Sequence, residues 1–117
     1  MIAIIVTVMV VVFTIFYLFP IIQVCGDSMS PTYKDKEYLI GCRIHTKPKV
    51  GEVYVFKSPE RNACVIKRIS MINTRGKKPQ YYVLGDNSIV SNDSRYYGYL
   101  SSRSLVCKII KQRHKEE

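Results

Sequence analysis

The residue in this chain most open to chemistry is a lysine set between aliphatic neighbours. Lys67 lies in Cys64-Val65-Ile66-Lys67-Arg68-Ile69, a β-branched run with two adjacent cations. Alternate side chains of a strand face opposite ways, so Val65, Lys67 and Ile69 share one face while Ile66, Arg68 and Ser70 share the other. A lysine so placed is either a guard against unwanted edge pairing or a desolvated amine that gives up its proton and serves as a neutral base. Lowering its pKa from ~10.4 to near 7–8 takes a few kcal/mol of ammonium destabilisation, at about 1.36 kcal/mol per pH unit, which burial can supply. Two other clusters carry polar groups that could accompany such a base. Gly26-Asp27-Ser28-Met29-Ser30-Pro31-Thr32 is by itself ordinary turn chemistry. Gly85-Asp86-Asn87-Ser88-Ile89-Val90-Ser91-Asn92-Asp93-Ser94-Arg95 is a polar loop whose length, in so small a chain, points to function.

The elements that must position these clusters follow from the charge distribution. The chain has 117 residues with 18 Lys+Arg and 9 Asp+Glu, and the first charged side chain is Asp27. At 47% hydrophobic it is not a disordered chain, and its length allows a single small domain. From Ile2 to Phe19 only Thr7 and Thr14 interrupt the apolar run, which ends at Pro20. Eighteen helical residues span roughly 27 Å, close to the hydrocarbon thickness of a bilayer. A cleavable secretory signal would need a basic segment before the run, and only Met1 precedes it. The run is therefore read as a transmembrane helix, with Tyr17 and Gln23 suited to its interfacial end. Lys34 and Lys36 follow it and nothing basic precedes it, a bias that by itself would put the C-terminal part in the cytoplasm.

Beyond the helix, short β-branched or aromatic runs alternate with turn formers. Strands are expected at Glu37–His45, Glu52–Lys57, Cys64–Ile72, Tyr81–Leu84 and Leu105–Ile110. No long amphipathic helical pattern is present, so the segment reads as mainly β, a small barrel-like or sandwich-like domain tethered to the helix.

The three clusters, taken in order, resemble the motif boxes of the type I signal peptidases. The matching residues are Gly26-Asp27-Ser28-Met29-x-Pro31-Thr32, then Lys67-Arg68-Ile69, then Gly85-Asp86-Asn87-x-x-x-Ser91-x-Asp93-Ser94-Arg95-x-x-Gly98. The likeness runs from the helix to about Leu105. It implies a bacterial-type serine endopeptidase that removes N-terminal signal peptides from secreted preproteins with a Ser-Lys dyad. Its organisation would be a transmembrane anchor over residues 1–24 and a minimal catalytic β-domain over residues 25–117.

By position the resemblance makes Ser28 the nucleophile and Lys67 the general base. That division of labour agrees with the chemistry of hydroxyl attack on a carbonyl, which needs a nearby base to take the proton. Ser91 would orient the lysine, Asp93 and Arg95 would form a structural ion pair, and Asp86 and Asn87 would shape the same loop. The backbone N–H of Ser28 would meet the oxyanion. Some members add a hydroxyl two residues before the nucleophile, where this chain has Gly26. The endoplasmic-reticulum branch has histidine in place of Lys67, and the histidines of this chain, His45 and His114, lie outside the three boxes. Substrate would pair as an added strand, with Ile22, Val24, Val65 and Ile66 walling pockets for small side chains. Where larger relatives carry a Gly-Pro-Gly-Asp stretch and often a second β-region, this chain has only Ser70–Gln80.

The resemblance also implies a single-pass protein of the bacterial cell membrane, N-terminus cytoplasmic and catalytic domain extracytoplasmic, against the lysine bias. Its partners would be the lipid bilayer and the signal peptides of preproteins emerging from the secretion machinery. Neither cofactor nor metal is needed by this chemistry, and no Cys-x-x-Cys or Cys/His spacing suggests zinc. Cys25, Cys42, Cys64 and Cys107 read as mostly free, partly buried thiols. The net charge of +9 suits an anionic lipid surface better than nucleic acid, because the tyrosines are better explained by packing than by base stacking. Three alternatives remain: a non-catalytic signal-peptidase-like assembly factor, a processing protease with a narrow set of exported substrates, and a self-cleaving repressor. The first predicts loss of the serine or the lysine and the last a DNA-binding half, and neither prediction fits this sequence.

Overall fold

The computed structural model describes residues 1–44, 47–60, 63–89 and 92–110. The apolar run forms helix α1, Ile2–Leu18. It stops one residue short of the expected run because Phe19 leaves the helical region (φ −126°, ψ 71°), as a residue ahead of proline tends to do. At 17 residues α1 buries none of its side chains, and no helix among the described residues is long and apolar enough to cross a membrane. The expectation of a transmembrane helix is corrected to that extent.

The rest of the described chain is mainly β. Strands β1 (Ile21–Gln23), β2 (Tyr38–Cys42), β3 (Val53–Lys57), β4 (Cys64–Asn73), β5 (Gln80–Leu84), β6 (Leu100–Ser101) and β7 (Leu105–Ile109) form one sheet in the order β1-β2-β7-β3-β4-β5-β6. Every pairing is antiparallel. The sheet is open, with β1 and β6 at its edges. The five strands expected from the sequence are present with shifted ends: three are shorter than expected, while β4 runs on to Asn73 and β5 begins at Gln80. Strand β1, strand β6 and the one-turn helix α2 (Ser94–Tyr97) are additions, and β1 takes in residues that the sequence reading gave to the anchor.

Strand β3 explains how one sheet holds two cores. Val53 and Val55 face a cluster containing Val24, Met29, Tyr33, Leu39, Cys107 and Ile109. Tyr54 and Phe56 face another, with Ile69, Tyr81, Val83 and Leu100. A strand covered on both sides needs a continuous apolar run rather than alternation, and Val53-Tyr54-Val55-Phe56 supplies it. Burying Leu39 or Phe56 completely, as here, contributes roughly 1.5–3 kcal/mol each. Gly41 is dictated by the close approach of three strands: an added Cβ would lie 2.7 Å from Cys107 Sγ and 2.9 Å from Ile22 Cδ1.

The helix is joined to the sheet through Arg43. Its backbone N–H donates to Leu18 O at 2.8 Å and its Nε to Tyr17 O at 2.7 Å. The guanidinium also sits 4.7 Å from the Tyr17 ring centre, so a cation–π contact supports the same junction.

Candidate active site

The turn between β1 and β2 carries Ser28. Gly26 enters it with φ +88°, a left-handed conformation that favours glycine, and its N–H donates to Asp35 Oδ1 at 2.7 Å. Met29, 1% exposed, plants the turn in the core, and the Tyr33 N–H donates to Met29 O at 2.9 Å. Ser28 is thereby held half-buried between a fixed glycine and a buried methionine.

Strand β4 carries Lys67. Its register with β3 puts Lys67 opposite Tyr54 and Val65 opposite Phe56, on the face of the second core. Ile66 and Arg68 point the other way, opposite Val55 and Val53. Lys67 is 4% exposed. Burial pushes its pKa below the ordinary lysine value, the negative charge of Asp93 works against this, and the positive charge of Arg95 adds to it. Among the described residues its ammonium makes no hydrogen bond or ion pair.

The segment after β5 joins these two elements. The Asn87 N–H donates to Ser28 O at 2.8 Å, and the Asp86 N–H to Met29 Sδ at 3.4 Å. The Asp86 carboxylate takes two hydrogen bonds from Arg68, from Nε at 2.9 Å and Nη2 at 2.8 Å. Arg68 Nη1 also donates to Gly51 O at 2.7 Å. Burial alone would raise the Asp86 pKa, but hydrogen bonds from Arg68 and Thr32, with the charge of Arg68, bring it below the usual carboxylate range. Further on, buried Asp93 caps α2 and binds Arg95 in the same two-pronged manner, at 2.9 Å for each contact, while accepting the Gly85 N–H at 2.9 Å. Ser94 Oγ accepts the Val83 N–H at 2.8 Å, and Gly98, at φ +76°, ends the turn.

These connections bring Ser28 and Lys67 to one cleft of about 260 Å³, lined also by Cys25, Gly26, Asp27, Ser58, Val65 and Asn92. Of the four residues proposed to wall substrate pockets, Val65 lines the cleft. Val24 is 3% exposed in the first core, with Ile22 and Ile66 packed against that core. Ser91 lies outside the described residues. Cys25, Ser58 and Asn92 were not singled out by sequence reasoning. Each is a small polar residue outside the recognisable motif positions and carries no signal of its own. Among the described residues no group of three His, Cys, Asp or Glu side chains could hold a metal ion.

The family profile described as signal peptidase, peptidase S26, matches residues 1–73 and 70–111. The chain belongs to this signal peptidase family. No curated protein matches it. Within this peptidase S26 chain the three clusters singled out in the sequence correspond to three physical parts: a turn, a buried strand position and the segment that ties them together. The four cysteines are free, with Cys25 and Cys64 exposed, Cys42 half-buried and Cys107 buried.

Proposed function

We propose that this chain is a membrane-associated serine endopeptidase that removes signal peptides from exported preproteins, with Ser28 as nucleophile and Lys67 as general base. The observation that carries the reading is the shared cleft: a half-buried serine and a buried lysine line the same small cavity. Neutral Lys67 takes the proton from Ser28 Oγ as the oxygen attacks the carbonyl carbon of the scissile bond. The oxyanion accepts the Ser28 N–H. Lys67, now an ammonium, gives the proton to the departing amine. It then takes a proton from the water that attacks the Ser28 ester and returns that proton to Ser28 Oγ as the acyl–oxygen bond breaks, which frees the serine and the carboxyl product. Asp86, Asn87, Asp93 and Arg95 fix the frame, and the family position of Ser91 gives it the task of orienting Lys67.

Strand β4 offers the substrate a place to pair. Its Cys64–Arg68 half is bonded to β3 on one side, while β5 begins pairing only at Arg68. An extended peptide laid along that free edge passes Val65 and Lys67, and a small side chain suits the confined space there.

The membrane part of the proposal rests on α1. Its large apolar side chains are exposed and none is buried by the domain, so lipid is the medium that would cover them. The orientation follows the family: catalytic domain on the outer face, beside the emerging preprotein. Cleavage of a preprotein by the detergent-solubilised full chain, compared with Ser28→Ala and Lys67→Ala, tests the dyad, and activity surviving both would refute it. A reporter fused after Glu117 that reads as cytoplasmic would refute the orientation.

A further inference from the structure

We propose that Asn92, clasped by Glu60, sets the width of the Ser28–Lys67 cleft and so the size of the substrate side chain it admits. The inference rests on the reading of that cleft as the place where the scissile bond is bound. Asn92 Nδ2 donates to Glu60 Oε1 at 2.6 Å, across 32 residues of chain. Glu60 stands in the turn between β3 and β4, and Asn92 in the segment between β5 and α2. Both segments line the cleft, the turn through Ser58 and the segment through Asn92. A bond that ties them fixes how far apart these two parts of the wall stand.

Each end of the clasp is anchored behind it. The Ser58 N–H donates to Ala63 O at 2.9 Å, closing the turn at its base, and Ser58 Oγ accepts the Glu60 N–H at 3.3 Å. On the other side Asp93, next to Asn92, is buried and held by Arg95 and the Gly85 N–H. An ionised carboxylate accepts hydrogen bonds and cannot donate one, so only the NH2 end of the Asn92 amide can face Glu60. The charged acceptor also makes such a bond short and strong. In a chain of net charge +9, Glu60 forms no ion pair among the described residues, and its partner is this amide. Tyr97 of α2 registers the same carboxylate: burial, then the charges of Asp93 and Glu60, push its pKa up to about 12.

Width becomes selectivity because of where the attacked carbonyl sits. Ser28 attacks the carbonyl carbon of the residue just ahead of the scissile bond, so the side chain of that residue lies nearest Ser28. The cleft there holds about 260 Å³, and Val65, on the Lys67 face of β4, lines it together with Ser58 and Asn92. A small side chain enters without moving either segment. A leucine has to part them, which the Glu60–Asn92 bond opposes. An apolar pocket separates side chains that differ by one methylene by roughly 10- to 200-fold in kcat/KM. Glu60 and Asn92 are both exposed, so cutting their bond leaves the two hydrophobic cores intact.

The test uses the full chain in detergent and two preproteins that differ in one residue, alanine or leucine just ahead of the scissile bond. The parent should prefer the alanine substrate in kcat/KM. Glu60→Ala and Asn92→Ala should each lower that preference about 10-fold or more, chiefly by faster cleavage of the leucine substrate. Glu60→Gln, whose side-chain oxygen still accepts from Asn92, should keep the parent's preference, and the double alanine variant should lose no more of it than either single change. A merely structural role would slow both substrates alike. No preference in the parent, a preference unchanged in both alanine variants, or one lost equally in Glu60→Gln overturns the proposal. Should the parent cleave neither preprotein, the functional reading fails separately. The dissociation constants of an Ala-x-Ala peptide and its Ala-x-Leu counterpart, measured by isothermal titration calorimetry, then decide. A ratio lowered in Glu60→Ala and kept in Glu60→Gln supports the clasp, and an unchanged ratio, or no binding of either peptide, overturns it.

Discussion

The backbone N–H of Asn87 donates to the carbonyl oxygen of Ser28 at 2.8 Å. This bond joins the segment after β5 to the turn after β1, and the Arg68–Asp86 pair beside it joins the same segment to β4. The proposed nucleophile and base are therefore positioned through one short stretch of chain, Gly85–Asn87. Its neighbours Lys67 and Arg68 divide the work by strand alternation: one faces the cleft and the other holds the loop.

Lys67 sets the first prediction. Its pKa lies below the ordinary lysine value chiefly because it is buried, so kcat/KM should rise with pH through a midpoint lower than that of an exposed lysine. Lys67→Met should lose about 10²–10⁴-fold in rate, the range for a general base. Stability carries the same signature. The unfolded chain holds this proton more tightly than the folded one, so stability falls as pH drops from the ordinary lysine pKa to the folded one and is flat below it. Urea melts across that window should show this limb in the parent and none in Lys67→Met.

The Arg68–Asp86 pair sets the second. Asp86→Asn removes the charge and one acceptor from a pair whose side chains are 36% and 17% exposed. The cost should be about 1–2 kcal/mol, less than the 3–5 kcal/mol of a fully buried pair because Arg68 is partly solvated. Because the folded pKa of Asp86 is depressed, its contribution is present above the unfolded carboxylate pKa and is lost as pH falls through the folded one. Asp86→Asn should lack that acid limb in urea melts, and kcat should fall with KM changing less, since the damage reaches Ser28 through Asn87.

Gly26→Ala tests the turn alone. A Cβ there meets nothing within 4 Å, but φ is +88°, so the cost is conformational, roughly 1–2 kcal/mol. Activity should drop by more than stability explains, because the turn relaxes with Ser28 on it. Cleavage at the parent rate in a protein destabilised by that amount would show that the glycine serves folding only.

Gly41→Ala tests the three-strand contact. The new methyl would press on Cys107 Sγ and Ile22 Cδ1 at 2.7 and 2.9 Å, an overpacking expected to cost about 1–3 kcal/mol. Cys107→Ala removes one of the two obstructing atoms, so the double variant should be more stable than the sum of the single changes predicts. Strict additivity would mean that the strands shift instead.

Much of this was legible in the sequence because the signals were local. The charge boundary at Asp27 and the period-two pattern around Lys67 marked the elements, the three ordered boxes carried the resemblance to the family, and five strands could be read from alternating or continuous apolar runs. Strand β1 was not legible because three residues, Ile21–Gln23, are too few to display a period, and only pairing with β2 makes them a strand. Helix α2 was hidden in a polar loop because a single turn capped by Asp93 has no apolar stripe. What only the tertiary structure decided is what lines the cleft. The sequence paired Ser28 with Lys67 by resemblance, but antiparallel pairing and the Asn87–Ser28 bond are what put them in one cavity, brought Cys25 into it and left Val24 and Ile66 in the core. Which side chains share a cavity depends on sheet register and on contacts between residues distant in the chain, and no local pattern encodes those.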